Sequence, residues 1–166
     1  GGDVAIDWLA LFAQDEAGWN NLCHLVSAAH LDRPLELDPH VPLAQLEGHS
    51  DGLICLTGAG EGALARLFAD GRQSAGEAYC DRLQGLFGDR LYIEIARSGD
   101  PVEDISEEAL IALAYVRDIP LVASNPAQFA ESSFHAAHDA LLCIANSTHI
   151  DAADRPRSSR EHWVKS

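Results

Sequence analysis

Apolar residues fall into two kinds of stretch along the chain. Short continuous runs occur at 4–13 (VAIDWLALFA), 52–58 (GLICLTG), 90–96 (RLYIEIA) and 120–123 (PLVA), and they read as strands. The first is so continuous that it predicts a strand buried on both faces. Between the runs, apolar residues recur at helical spacing. Gln14-Asp15-Glu16 opens a helix reaching about His30, with acidic side chains beside its positive N-terminal end. Its predicted buried face is Trp19, Leu22, Cys23, Leu25 and Val26. Three prolines make 31–42 an irregular loop, followed by a short helix over 43–48. Further helices are predicted over 61–69, closed by Asp70-Gly71, and over 73–87, ended by Gly88. Ser106-Glu107-Glu108 caps a helix running to about Arg117, and a strongly apolar helix spans 134–145.

This alternation predicts an α/β fold: a mostly parallel sheet with flanking helices and right-handed crossovers. Four strands are too few to close a barrel, so an open sheet or partial barrel is expected. Its unpaired apolar edges predict dimers or an opened, rearranged sheet. The stretch from Ile119 to Ile144 organises the functional question. Its strand stops at Ser124-Asn125-Pro126, and in α/β folds chemistry usually sits at that end of a strand. The loop there carries Pro126 and Gln128, neither of which takes a proton or grips a hard cation.

Composition sharpens this. The 166 residues suit one domain with a proper core. The formal charge is −15, with only 11 Lys and Arg. Cationic contacts to phosphate supply most non-specific nucleic-acid affinity, so little or no direct DNA binding is expected. A local exception is the basic segment at 154–166, where Arg155, Arg157, Arg160 and Lys165 either pair with the acidic body or contact phosphate. Cys23, Cys55, Cys80 and Cys143 lie far apart in apolar patterns and read as buried free thiols, which suits a cytoplasmic location. No stretch reaches the ~20 apolar residues of a membrane helix. The chain has no methionine, and Gly1-Gly2 reads as a tag remnant on a fragment of a longer polypeptide.

Candidate chemistry is sparse. His135 and His138 stand three apart, with Asp139 beside them, so both imidazoles can share a helix face and in principle one ion. The bland reading is a pair of polar residues meeting solvent or backbone near the start of an Ala/Leu-rich helix. Glu94 lies on the third strand, on the same face as Tyr92, and either points into a pocket near the strand end or pairs with Arg97. The remaining six histidines (His24, His30, His40, His49, His149 and His162) show no ligand spacing. Gly58-Ala59-Gly60-Glu61-Gly62 lacks the Lys and Ser/Thr of a phosphate loop, and turn geometry accounts for its glycines.

Six segments, in order and spacing, resemble the N-terminal PHP (polymerase and histidinol phosphatase) domain of the bacterial replicative DNA polymerase III alpha-subunit family. They are LALFAQDEAGWNNLCHLVSAAH at 9–30, HSDGLICLTG at 49–58, LFGDRLYIEIARSG at 86–99, IPLVASN at 119–125, AHDALLCIA at 137–145 and DRPRSSREHWVKS at 154–166. The resemblance implies a distorted (β/α)₇ barrel, of which 1–166 is a single partial domain, with 154–166 leading to the polymerase body. It also implies a cluster of metal ligands at the barrel mouth in metal-competent members. The family's first ligands would precede Gly1. A Cys often found after the L-S-G turn matches Ala59, and the Asp and His of the T-N-D-x-H loop match Pro126 and Gln128. The expected reading is therefore a degenerate metal site, with no cofactor and no catalysis in this fragment of a nucleotidyltransferase. Its implied partners are the rest of the alpha subunit and the proofreading exonuclease subunit. The alternative is an active metal-dependent phosphoesterase or exonuclease domain using Glu94, His138 and Asp139 with upstream histidines.

Overall fold

A computed structural model describes residues 6–33 and 36–165. Four strands form one open sheet in chain order: β1 (Ala10–Ala13), β2 (Leu53–Leu56), β3 (Leu91–Ala96) and β4 (Leu121–Ser124). The β2, β3 and β4 strands run parallel, whereas β1 runs antiparallel to β2, with Ala10 opposite Leu56. The architecture is the expected mixed α/β layer with a mostly parallel sheet. The expected strand at 4–13 is corrected to an edge strand of four residues. It is not buried on both faces, because Phe12 is 53% exposed and Trp8 projects to solvent. Val4 and Ala5 lie outside the described residues.

Helix α1 (Glu16–Leu31) begins where Asp15 accepts a hydrogen bond from the Gly18 N–H, at 2.8 Å. Its inward face differs from the expected one: Gly18, Leu25 and Ala28 are buried, whereas Trp19 is 60% exposed and Cys23 and Val26 face solvent. The cause is a close backbone approach. A Cβ at Gly18 would lie 1.9 Å from the Gly52 carbonyl oxygen, so only glycine lets the helix sit against the β2 entrance. That contact turns the stripe through residues 18, 25 and 28 inward and swings Trp19 outward.

Helix α2 (Ala63–Ala69) and helix α3 (Gln73–Phe87) join β2 to β3, and helix α4 (Pro101–Arg117) joins β3 to β4. The α4 helix starts five residues before the expected Ser106, because Asp100 caps it by accepting from the Val102 N–H and Pro101 occupies its first turn. The core lies between sheet and helices, where Leu53, Cys55, Leu64, Leu83, Phe87 and Ile93 are almost wholly buried.

Cys55 and Cys80 belong to that core, and all four cysteines are free, with Cys23 exposed rather than buried as expected. Burial, assisted by the Glu94 charge, pushes the Cys55 thiol up from 9.0 to about 12. Burial beside Asp81 pushes Cys80 up to about 11. Below an ordinary thiol pKa of 9.0, both folded and unfolded chains keep these protons. Above it the unfolded chain releases them first, so stability falls as pH rises towards the folded-state values. Each thiol contributes a slope of up to about 1.4 kcal/mol per pH unit. Urea midpoints are expected to drop steeply from about pH 9 to 11. The drop should be shallower in the Cys55→Ala/Cys80→Ala double variant, whatever its starting stability.

Candidate functional site

Parallel strands β2, β3 and β4 send their C-terminal ends to one rim of the sheet, and three connections meet there. The first follows β2. Gly58 has φ +86°, and a Cβ on it would stand 2.3 Å from the Trp8 carbonyl oxygen, so the turn needs glycine on both counts. Ala59 follows at φ +45°, a strained left-handed position for a residue with a Cβ. The segment before β1 is laced over this turn, with the Trp8 N–H donating to the Glu61 carbonyl at 3.1 Å. Asp7 forms a two-pronged pair with Arg66, both contacts at 2.7 Å. The turn is the role expected of these glycines; Gly58 and Gly62 also allow close backbone contacts, while Gly60 faces the Glu103 side chain.

Strand β3, which leads into the second connection, carries Glu94. Its side chain is buried, and Oε2 accepts the Gly58 N–H at 3.0 Å while its own backbone N–H donates to Thr57 Oγ1 at 2.9 Å. Glu94 does not pair with Arg97. That guanidinium instead clasps Glu107 through two contacts of 2.9 Å and holds its carboxyl below the usual range. A second buried carboxylate, Glu103, accepts from the Ser98 N–H at 2.7 Å and from Ser98 Oγ at 2.9 and 3.0 Å. Glu94, Glu103, Gly60 and Ser106 line one small pocket between β3 and α4. The sequence reading missed Glu103 because it started α4 too late. The signal was Asp100-Pro101, a capping residue followed by the proline that favours a helix's first turn.

The third connection holds Asn125, Pro126 and Gln128, and residues 162–164 lie across it. Asn125 Nδ2 donates to the Trp163 carbonyl at 2.9 Å. The N–H groups of Gln128 and Phe129 both donate to the His162 carbonyl, and the Val164 N–H returns to the Phe129 carbonyl. Helix α5 (His135–Ala145) follows. Its two expected histidines do share a face, but each meets Ser158: His135 Nε2 lies 3.1 Å from the carbonyl oxygen and His138 Nδ1 lies 2.9 Å from Oγ. Both rings also pack on Phe129.

Asp139 forms a two-pronged pair with Arg155 at 2.5 and 2.7 Å, with side chains 14% and 5% exposed. The Arg155 hydrogen bonds hold the Asp139 carboxyl below the usual carboxylate range. Arg155 of the basic segment therefore pairs with the acidic body, and Lys165 pairs with Glu161. Ser166 lies outside the described residues. Tertiary structure also stacks His24 on His49, ring centres 4.1 Å apart, a contact no spacing foretold. Among the described residues, no three of His, Cys, Asp and Glu gather as a metal-holding group.

The family model described as "PHP domain" matches residues 5–98, which reach from before β1 to just past β3. The chain belongs to the PHP domain family. This PHP chain is 42% identical over 157 residues to the DNA polymerase III subunit alpha of Caulobacter vibrioides, an alignment covering 95% of the chain and 14% of that protein. It is 35% identical over 158 residues to the protein of the same name from Rickettsia bellii, again covering 95% of the chain and 14% of the relative. The subunit of that name from Pseudomonas aeruginosa is 28% identical over 165 residues, covering 99% of the chain and 14% of the relative. The PHP chain thus spans about one seventh of the length of these curated relatives. No helix among the described residues is long and apolar enough to cross a membrane.

Proposed function

We propose that this chain is the PHP region of the alpha subunit of a bacterial replicative DNA polymerase III. In this reading it acts as a structural scaffold and as a docking site for the proofreading exonuclease subunit, in the cytoplasm. The observation that carries the silent, structural role is the chemistry of the groups around the sheet rim. The PHP resemblance puts metal ligands at Ala59, Pro126 and Gln128. Alanine and proline side chains have no donor atom there, and an amide oxygen replaces imidazole poorly. The ionisable groups nearby already have protein partners: Glu94 holds the Gly58 N–H, Glu103 holds Ser98, His138 meets Ser158, and Asp139 holds Arg155. Opening any of them to a cation would orphan a buried or half-buried partner. The residues present do not fit a divalent ion.

Direct contact with DNA is disfavoured in the same reading. Against a net charge of −15, Arg66, Arg82, Arg97, Arg117, Arg155 and Lys165 are each engaged by a carboxylate. The proposal is tested on the full-length subunit purified without chelator. Substoichiometric metal after dialysis is expected, together with co-elution with the cognate exonuclease on gel filtration. Stoichiometric manganese or zinc with phosphoesterase turnover would establish the metallohydrolase alternative instead. Separate elution of the two subunits would remove the docking role.

A further inference from the structure

The α5 helix is amphipathic the wrong way round for a surface helix of an isolated domain. Its inward side carries His135, His138 and Asp139, tied to Ser158 and Arg155, with Cys143 the one buried apolar residue of the helix. Its outward side is wholly apolar: Ala136, Ala137, Ala140, Leu141, Ile144 and Ala145 are exposed, Leu141 at 62% and Ile144 at 75%. Surface helices normally turn charge to water and bury the apolar stripe. The one charge on this helix, Asp139, is neutralised by Arg155, so the exposed face is electrically blank on a chain of net charge −15. Phe134, just before the helix, and Ile150, beyond its end, are exposed as well. A contiguous apolar face of this kind marks an interface.

We infer that the outward face of α5 is covered, within one polypeptide, by the remainder of the alpha subunit rather than by a separate protein. This rests on the polymerase reading above and adds to it the surface involved. The relatives supply the occupant: the alignment with this chain takes up only 14% of the Caulobacter vibrioides protein, and the rest lies outside it. An intramolecular partner is present at fixed stoichiometry, so its contact surface need carry no charge to steer association. Separable partners that meet by diffusion gain speed and selectivity from complementary charge, which this face lacks.

The test is thiol labelling of the full-length subunit carrying Ile144→Cys, with Ala140→Cys as a second, smaller perturbation, read peptide by peptide by mass spectrometry. Labelling of the native subunit alone is expected to be at least about tenfold slower than in urea at both positions. Fast labelling of the subunit alone that slows only when the exonuclease is added would overturn the inference in favour of a separate partner. Fast labelling in both states would overturn it outright. Each of these outcomes leaves the polymerase reading standing. A reading frame that does not continue into a polymerase body would overturn both.

Discussion

Replacing Gly62 by alanine is expected to lower stability by about 3 kcal/mol, at the upper end of what overpacking usually costs. Gly62 has an ordinary φ of −83°, so backbone strain is not the reason. The reason is space: a Cβ there would stand 1.9 Å from the Thr57 carbonyl oxygen and 3.2 Å from the Gly58 Cα. Neither neighbour is free to yield. Thr57 donates its N–H to the Tyr92 carbonyl and accepts the Glu94 N–H on its hydroxyl, while Gly58 is held by the Glu94 carboxylate. The new methyl group must therefore push the β2 turn away from β3 and loosen Glu94 with it. Urea denaturation should show a lower midpoint with an unchanged slope. A midpoint within experimental error of the parent would mean that the rim turn is far softer than these contacts imply.

The second large effect is expected at Phe87. Its ring, 1% exposed at the end of α3, is the largest of the fully buried side chains and sits in the core with Leu53, Leu83, Leu91 and Leu113. Phe87→Ala removes the ring and leaves a cavity among these closely packed side chains, for a loss of about 4 kcal/mol. For a chain of this size that corresponds to a melting temperature lower by roughly 10 °C. Phe87→Leu, which keeps most of the volume, should cost only about 1.5 kcal/mol. Thermal unfolding followed by circular dichroism distinguishes the two. Equal losses would show that the shape of the ring, not its volume, is what the site requires.

The scaffold reading gives these stability effects a functional meaning. Under that proposal, a domain whose rim groups hold one another has a surface shape to maintain. The Glu94–Gly58, Glu103–Ser98 and Asp139–Arg155 contacts occupy the rim where metal-competent relatives are expected to hold ions. Two of the pairs, Glu94–Gly58 and Asp139–Arg155, join segments well separated in the chain, and so contribute to the shape that a partner would meet.

Local patterning located every element that depends on near neighbours in the chain. The Gln73–Phe87 helix is bounded as Gln73 and Gly88 indicated, β3 and β4 lie within one residue of the apolar runs, and α5 opens one residue after Phe134. The late start given to α4 passed over a local signal, Asp100-Pro101, whereas the other misses share one cause. The first strand shrank to Ala10–Ala13 because a single antiparallel neighbour at a sheet edge covers only part of an apolar run. The buried face of α1 moved because Gly18 meets Gly52, and no periodicity can announce a contact made across 34 residues of sequence. Glu94 was legible as a candidate, but its partner was not: Arg97 lies closer in sequence, whereas the Gly58 N–H lies closer in space.

Which atoms stand at the rim was decided by the sequence alone, because donor identity is a property of each residue: Ala59, Pro126 and Gln128 bring the same chemistry into any fold. The sheet, its helices and the acidic charge followed from spacing and composition for the same local reason. Only the tertiary structure decided which way the pieces face. It brought Ser158 and Arg155 back across α5, so that the polar side of the helix turned inward and its apolar side was left facing water. That choice depends on hydrogen bonds and ion pairs formed across chain separations that hydrophobic periodicity does not register.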